Sequence, residues 1–276
     1  MAAVVEGGHT LHVHAYDLRR RGWTVNAGLS WMMEGRPALA ADRQRRLLVA
    51  ARGPAKDYWV AAVDLAGPRV SEWTGLQGVF GSDPVLTNCG TGPALVAGLD
   101  LSGHLWTRTL SWEQSPRSES SWTARGGGGF QGQLRAVCSA GQPVLAARSA
   151  NGRVWIWPAA RAEWIESEVD IKGELQLTSD RKGVWIAGRT AADGIRVCRG
   201  TMAGEVPAVG CVTLPARVSE FALCPLDEGV RVAAVFPDGE LRWWDWPATD
   251  WQRPLLQPIR AVSLDQEVVA GAMGEE

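Results

Sequence analysis

Residues 143–164 carry the reading of the fold: Pro143-Val-Leu-Ala-Ala-Arg148, then Asn151-Gly152, then Arg153-Val-Trp155-Ile-Trp157 and, after a short loop, Trp164. Short runs rich in apolar residues flank Asn151-Gly152 on both sides, the length and content of two strands. Asn and Gly tolerate the positive φ that a tight hairpin demands, so the dipeptide marks the turn between them. Upstream, Arg135-Ala-Val-Cys138 followed by Ala140-Gly141 supplies a further strand and turn, and a fourth strand begins at Trp164. The unit is a four-stranded antiparallel meander.

The same unit recurs along the chain. Before it stands Pro84-Val-Leu-Thr87, Ala94-Leu-Val-Ala-Gly-Leu-Asp100, Gly103, His104-Leu-Trp-Thr-Arg108 and Trp122. Earlier still comes Pro37-Ala-Leu-Ala40, Leu47-Leu-Val-Ala-Ala-Arg52, Tyr58-Trp-Val-Ala-Ala62 and Trp73. After it, Leu175-Gln-Leu-Thr178, Val184-Trp-Ile-Ala-Gly-Arg189, Asp193-Gly194, Ile195-Arg-Val-Cys198 and Cys211-Val-Thr-Leu214 form a unit without a terminal Trp. Phe221-Ala-Leu-Cys224, Val230-Arg-Val-Ala-Ala-Val235, Asp238-Gly239, Leu241-Arg-Trp-Trp244 and Trp251 form the next. The central hairpins fall near Lys56, Gly103, Gly152, Gly194 and Gly239, a period of roughly 45 residues that matches one blade of a propeller.

The two ends make one more unit. Ile259–Ser263 and Glu267–Met273 offer two strands, and Thr10–Tyr16 and Gly22–Val25 offer the missing two; joining Glu276 to Met1 brings Gly8 to the next expected hairpin position. The expected fold is therefore all-β, a six-bladed β-propeller of four-stranded antiparallel blades in one domain, 1–276. The blades run near 257–276 plus 1–31, 32–77, 78–124, 125–168, 169–214 and 215–256. A last blade closed by N- and C-terminal strands leaves no open sheet edge. A pair of β-sandwiches also shows many short strands. It explains neither the split unit nor the small pairs Ala50-Ala51, Ala97-Gly98, Ala146-Ala147, Ala187-Gly188, Ala233-Ala234 and Ala270-Gly271, which suit the crowding of twisted sheets around an axis.

Composition narrows function. With 28 Lys and Arg against 30 Asp and Glu, the 276-residue chain lacks the basic footprint of a nucleic-acid binder. No stretch approaches the ~20 apolar residues of a membrane span, and Met1-Ala-Ala-Val-Val-Glu-Gly-Gly8 is unlike a signal peptide, so neither nucleic acid nor membrane is expected and the expected location is cytoplasmic. Five dispersed cysteines without a C-x-x-C pattern suit reduced thiols. Fifteen tryptophans, against 2 Tyr and 4 Phe, are the unusual feature.

The shared pattern of Pro-Ala-x-x, a Leu-x-Val strand, an Asp-Gly-like turn before Leu-Trp, and a later Trp is strongest in Pro37 to Trp73, Pro84 to Trp122 and Pro143 to Trp164. It resembles the bacterial lectin-like propellers related to tectonins and to the Photorhabdus fucose-binding lectins. That resemblance implies sugar binding in shallow pockets between adjacent blades. The units here are more divergent, lack the Leu-Gly-Gly that commonly follows the terminal Trp, and number six where the lectins are expected to have seven.

The tryptophans sort by position. Trp23, Trp73, Trp122, Trp164 and Trp251 open fourth strands and are expected to wedge between blades. On third strands, period-2 alternation puts Trp155 with Trp157, Trp244 with Trp246, and Trp106 with Arg108 on shared sides. Such indole planes suit the apolar face of a pyranose, with Arg fixing its hydroxyls, although packing also accounts for them. Trp31, Trp112, Trp185 and Trp246 have no repeated counterpart. Arg52, Asp100, Arg148 and Arg189 follow the small pairs and are expected to gather on one face, either as a solvated rim or as a polar ring for an acidic ligand or a partner's carboxylates.

His9, His12 and His14 lack the further ligands of a zinc site, and no metal or other cofactor is expected. Gly126–Gly129 lacks the Gly-Lys-Ser/Thr and helix of a phosphate loop. There is no G-x-S-x-G, no H-E-x-x-H, and no true sialidase Asp-box, since Ser149-Ala-Asn151-Gly-Arg-Val-Trp155 matches only in outline. No catalytic residue is assigned. The leading expectation is a non-catalytic propeller that binds a glycan or other small ligand through Trp106, Arg108, Trp155, Trp157, Trp244 and Trp246, joined by Arg52, Asp100, Arg148 and Arg189. The alternatives are a protein-interaction scaffold, or an enzyme with one asymmetric pocket near the axis.

Overall fold

Strands form where the alternation places them, and the hairpin turns adopt the backbone that the sequence demands. A computed structural model describes residues 2–6, 10–17, 22–29, 33–42, 46–64, 69–90, 92–112, 120–200, 209–215, 217–248, 252 and 268–270. Those residues contain no helix. Positive φ falls at Lys56 (62°), Gly103 (78°), Gly152 (92°), Asp193 (61°) and Gly239 (80°), one per central hairpin. At Gly103 a side chain is excluded twice over, because a Cβ there would sit 2.5 and 2.6 Å from the Phe130 backbone.

The chain divides into two compact units, Met1–Phe130 with Ser263–Glu276, and Gln131–Val262. The first holds three antiparallel sheets. One consists of β1 (Ala2–Glu6), β2 (Thr10–Asp17), β3 (Gly22–Leu29) and β24 (Val268–Ala270), in the order β24-β1-β2-β3. The second contains β4 (Glu34–Ala41), β5 (Arg46–Arg52) and β6 (Tyr58–Asp64), with β7 (Arg69–Val70) and β8 (Thr74–Gln77) both pairing β6. The third runs β9 (Val85–Thr87), β10 (Ala94–Leu99), β11 (Leu105–Leu110) and β12 (Thr123–Ala124) in sequence order.

The other unit holds three more. These are β13 (Phe130–Ser139), β14 (Gln142–Ser149), β15 (Arg153–Pro158) and β16 (Ile165–Asp170); β17 (Lys172–Asp180), β18 (Gly183–Arg189), β19 (Ile195–Gly200) and β20 (Val209–Leu214); and β21 (Glu220–Leu226), β22 (Gly229–Val235) and β23 (Leu241–Asp245). In the last sheet Gln252 bridges Trp243, where a fourth strand would pair.

Sheets pack face to face through their second and third strands. In the first unit, Ala50, Tyr58, Val60, Phe80, Val96 and Leu110 form one buried cluster. In the second, Ala146, Val154, Ile156, Ile171, Ile186 and Cys198 form another, and Trp185, Val197, Leu214, Val230, Val232 and Trp244 a third. Burying such side chains stabilises by about 1.5–3 kcal/mol each. Gly98 shows why the small pairs matter: a Cβ there would meet the Tyr58 ring at 2.5 and 2.7 Å.

Two expectations need correction. Among the described residues, the sheet that joins the termini takes three strands from the N-terminal end, where two were expected, and one, β24, from the C-terminal end. Ala270 is consequently in the first strand of that sheet, not the second, and the expected strand at 259–263 lies outside the described residues. The cysteines were expected to be reduced, yet Cys198 and Cys211 face each other across β19 and β20 and form a disulfide. Cys224 is a free, exposed thiol.

Candidate functional site

Local chemistry decides which of the expected site residues remain available. Asp100 follows β10 and turns back on its own hairpin, accepting hydrogen bonds from the Ser102 amide (2.8 Å), the His104 amide (3.0 Å) and Trp106 Nε1 (3.0 Å). Partial burial opposes the charge on Asp100, but these three donors outweigh it and hold its carboxyl below the usual range. The carboxylate thus closes the turn and orients the Trp106 indole. Asn151 and Asp238 serve the same turn function, accepting from the Arg153 and Glu240 amides.

The arginines also bond to backbone. Arg108 donates to the Ser120 and Leu76 carbonyls, and its guanidinium lies 5.8 Å from the centroid of the Trp122 ring. Arg52 donates to the Gly81 carbonyl at 3.2 Å and stands 3.6 Å from Asp83. Arg189 makes the equivalent reach in the other unit, donating to the carbonyls of Val218 and Ser219. Arg52 and Arg189 each extend from the end of a second strand to the chain entering the next sheet. Arg148 occupies the same place in β14 but lies beside Gly132, half-buried and without a hydrogen bond or ion pair among the described residues. Trp155 is half-buried opposite Ala147, and Trp157, opposite Leu145, is 2% exposed.

Trp244 and Trp246 come together at an opening. A cleft of about 320 Å³ lies between the outer strand β20 and the end of β23, lined by Val212, Leu214, Pro215, Trp244, Trp246 and Pro247, together with Thr213 and Ala248. Trp244 is 1% exposed and spends its indole N–H on the Ala248 carbonyl at 2.7 Å. Trp246 is half-buried and meets both Trp244 and Trp185 edge to face, with ring centroids 5.8 and 5.2 Å away. Its indole N–H has no hydrogen-bond partner among the described residues.

Trp185 is itself fixed. Its N–H donates to Asp180 at 3.0 Å, and Arg199 lies over its ring at 5.2 Å while reaching Asp180 at 3.4 Å. No lining residue of the cleft is ionisable, so its lining consists of indole, proline and aliphatic surfaces with backbone groups and the Thr213 side chain.

Sequence reasoning reached Trp244 and Trp246 but missed the wall contributed by β20 and the support from Trp185. A usable signal existed, since Trp185 and Trp246 are two of the indoles without a repeated counterpart. Of the other two, Trp112 is buried and donates to the Gly92 carbonyl at 2.9 Å, and Trp31 lies outside the described residues. His9 is also outside them. Among the described residues, no group of three or more His, Cys, Asp or Glu is placed to hold a metal ion.

No protein-family model matches the sequence, and no curated protein matches it. Solved structures do match. The BP39L lectin from Burkholderia pseudomallei has a TM-score of 0.63 at 16% identity, over 90% of this chain and 80% of that one. The SapL1 lectin, solved in complex with α-methyl fucoside, gives 0.53 at 14% identity over 91% and 94%. The Cps50 (Swd1) β-propeller domain from Myceliophteria thermophila gives 0.57 at 14% identity over 90% and 79%. At these identities the likeness is one of fold, and the chain has the β-propeller architecture that its repeats predict.

Proposed function

We propose that this chain is a non-catalytic, lectin-like propeller that binds a neutral glycan in the cleft beside Trp244 and Trp246. The observation that carries the reading is the chemistry of that cleft: aromatic and proline surfaces, no ionisable lining residue, and the unpartnered indole N–H of Trp246 at its side. An indole plane takes the apolar face of a pyranose, while a few directed donors and acceptors orient its hydroxyls. An acidic sugar would find no counter-charge in this lining. The likeness to lectin propellers, one of them holding a fucoside, supports the class of ligand. Arg148 is the one expected polar-ring residue that is free to contact a ligand elsewhere.

The test is a glycan array that includes neutral and acidic sugars, followed by calorimetric titration of any hit against the wild type and Trp246→Ala. Saturable binding to neutral glycans is expected, with affinity reduced roughly tenfold or more in the folded variant. Undiminished binding by folded Trp246→Ala, or no saturable glycan on the folded wild type, overturns the reading.

A further inference from the structure

The disulfide ties the strand that supplies one wall of the cleft, from the opposite face of its sheet: Val197, Val212 and Leu214 pack with Trp185 and Trp244, whereas Cys198 packs with Val184 and Ile186. Among the described residues β20 is the outermost strand of its sheet and pairs with β19 alone, over the six pairs from Ile195↔Leu214 to Gly200↔Val209. Four consecutive residues, Val212 to Pro215, line the cavity, and Cys211 immediately precedes them. Cys198 is fully buried in β19 among Ile171, Val184 and Ile186, whereas Cys211 is exposed on the edge strand. One cysteine is anchored in the core and the other belongs to the exposed edge strand.

We propose that the Cys198–Cys211 disulfide is a redox-controlled clasp that holds the β20 wall of the cleft in place. An edge strand is the part of a sheet that opens at least free-energy expense, and a covalent tie to its neighbour suppresses that opening. A dithiol reverses it. One thiolate of the dithiol attacks Sγ of Cys211, the cysteine on the exposed edge strand, and the S–S bond breaks with its electron pair leaving on Cys198 Sγ, which takes up a proton. The second thiol of the reductant then displaces Cys211 from the mixed disulfide, so the protein gains two electrons and the dithiol becomes a cyclic disulfide. The reduced strand keeps its ladder but loses its tie, and the cavity loses a fixed wall. The effect on ligand rests on reading the cleft as a binding site; the clasp itself does not.

Hydrogen exchange across Gly210–Leu214 tests the clasp directly, comparing the oxidised full chain with the Cys198→Ser/Cys211→Ser variant and with wild type treated natively with dithiothreitol. Exchange in β20 is expected to rise by about tenfold or more, while β17 and β18 stay unchanged. If the double variant does not fold, Cys211→Ser, which leaves the disulfide-bonded Cys89 and Cys138 untouched, takes its place beside the dithiothreitol arm. Equal exchange in both redox states overturns the proposal, as does alkylation of both cysteines in the protein isolated without reductant. Calorimetry with methyl α-fucoside is the second arm. Weaker binding in the reduced state supports the coupling, and equal binding despite faster β20 exchange overturns it. If neither state binds any array glycan, the glycan reading fails while the exchange result still decides the clasp.

Discussion

Replacing Gly98 with Ala tests whether the small pairs are required by crowding. In an unobstructed strand this substitution stabilises by about 0.4–1 kcal/mol, because it narrows the unfolded ensemble. Here the opposite sign is expected. The new Cβ would stand 2.5 and 2.7 Å from two Tyr58 ring carbons and closer still to its hydroxyl. Tyr58 has nowhere to go: it is fully buried, stacked on Phe80 at 4.0 Å, and donates its hydroxyl to the Ser82 carbonyl at 2.9 Å. Overpacking of this kind costs about 1–3 kcal/mol, and displacing the phenol from its carbonyl adds a similar amount. A loss of about 3 kcal/mol lowers Tm by roughly 6–12 °C for a domain of this size class. Calorimetry of Gly98→Ala, Tyr58→Phe and the double variant measures it, with the double variant losing less than the sum of the singles because the phenylalanine lacks the closest atom. Unchanged or raised Tm in Gly98→Ala refutes the crowding argument, and strict additivity removes the hydroxyl from it.

Asp245 accepts two hydrogen bonds from Arg231, at 2.7 and 2.8 Å, which hold its carboxyl below the usual range. A depressed folded-state pKa stabilises above the unfolded value and is lost as pH falls, so denaturation midpoints should drop below about pH 4, with a shallower decline in Arg231→Met. Arg189→Ala removes two carbonyl bonds and should lose about 2 kcal/mol in urea titrations; Arg189→Lys should recover less than half, since an ammonium cannot span both acceptors. The Cys198→Ser/Cys211→Ser variant removes a cross-link over 13 residues and should lose about 3 kcal/mol in denaturant, with a loss under about 0.5 kcal/mol counting against the tie.

Most of the hairpins are legible because turn chemistry is local: Gly103, Gly152, Asp193 and Gly239 are residue types that tolerate the positive φ their turns require, whereas Lys56 adopts it without such a signal. β1 does not stand out as a strand in the sequence, although Gly7-Gly8 separates it from β2, because five residues carry too little alternation. The arginines illustrate a different limit. Their spacing after the small pairs was visible, but their acceptors are backbone carbonyls 29 or 30 residues onward, which no residue type announces. Asp100 was placed in a polar ring because its partners, two amides and an indole within six residues, compete with that role only once the turn is built. The disulfide depends on register: residues 198 and 211 are opposed only when β19 and β20 pair as they do, and spacing in sequence does not specify that.

The reach of Arg52 and Arg189 gives the repeats a direction. Each hook leaves the end of a second strand and closes on the chain that enters the following sheet, so at these two junctions the earlier sheet fastens the later one. The acceptor is a carbonyl, which every residue supplies. A successor can therefore change nearly all of its side chains without slipping the hook, while the hook itself depends on one guanidinium. Tandem copies tied in this way are free to drift apart in sequence at the receiving end, and the divergence that sets these units apart from one another is the outcome such a fastening permits.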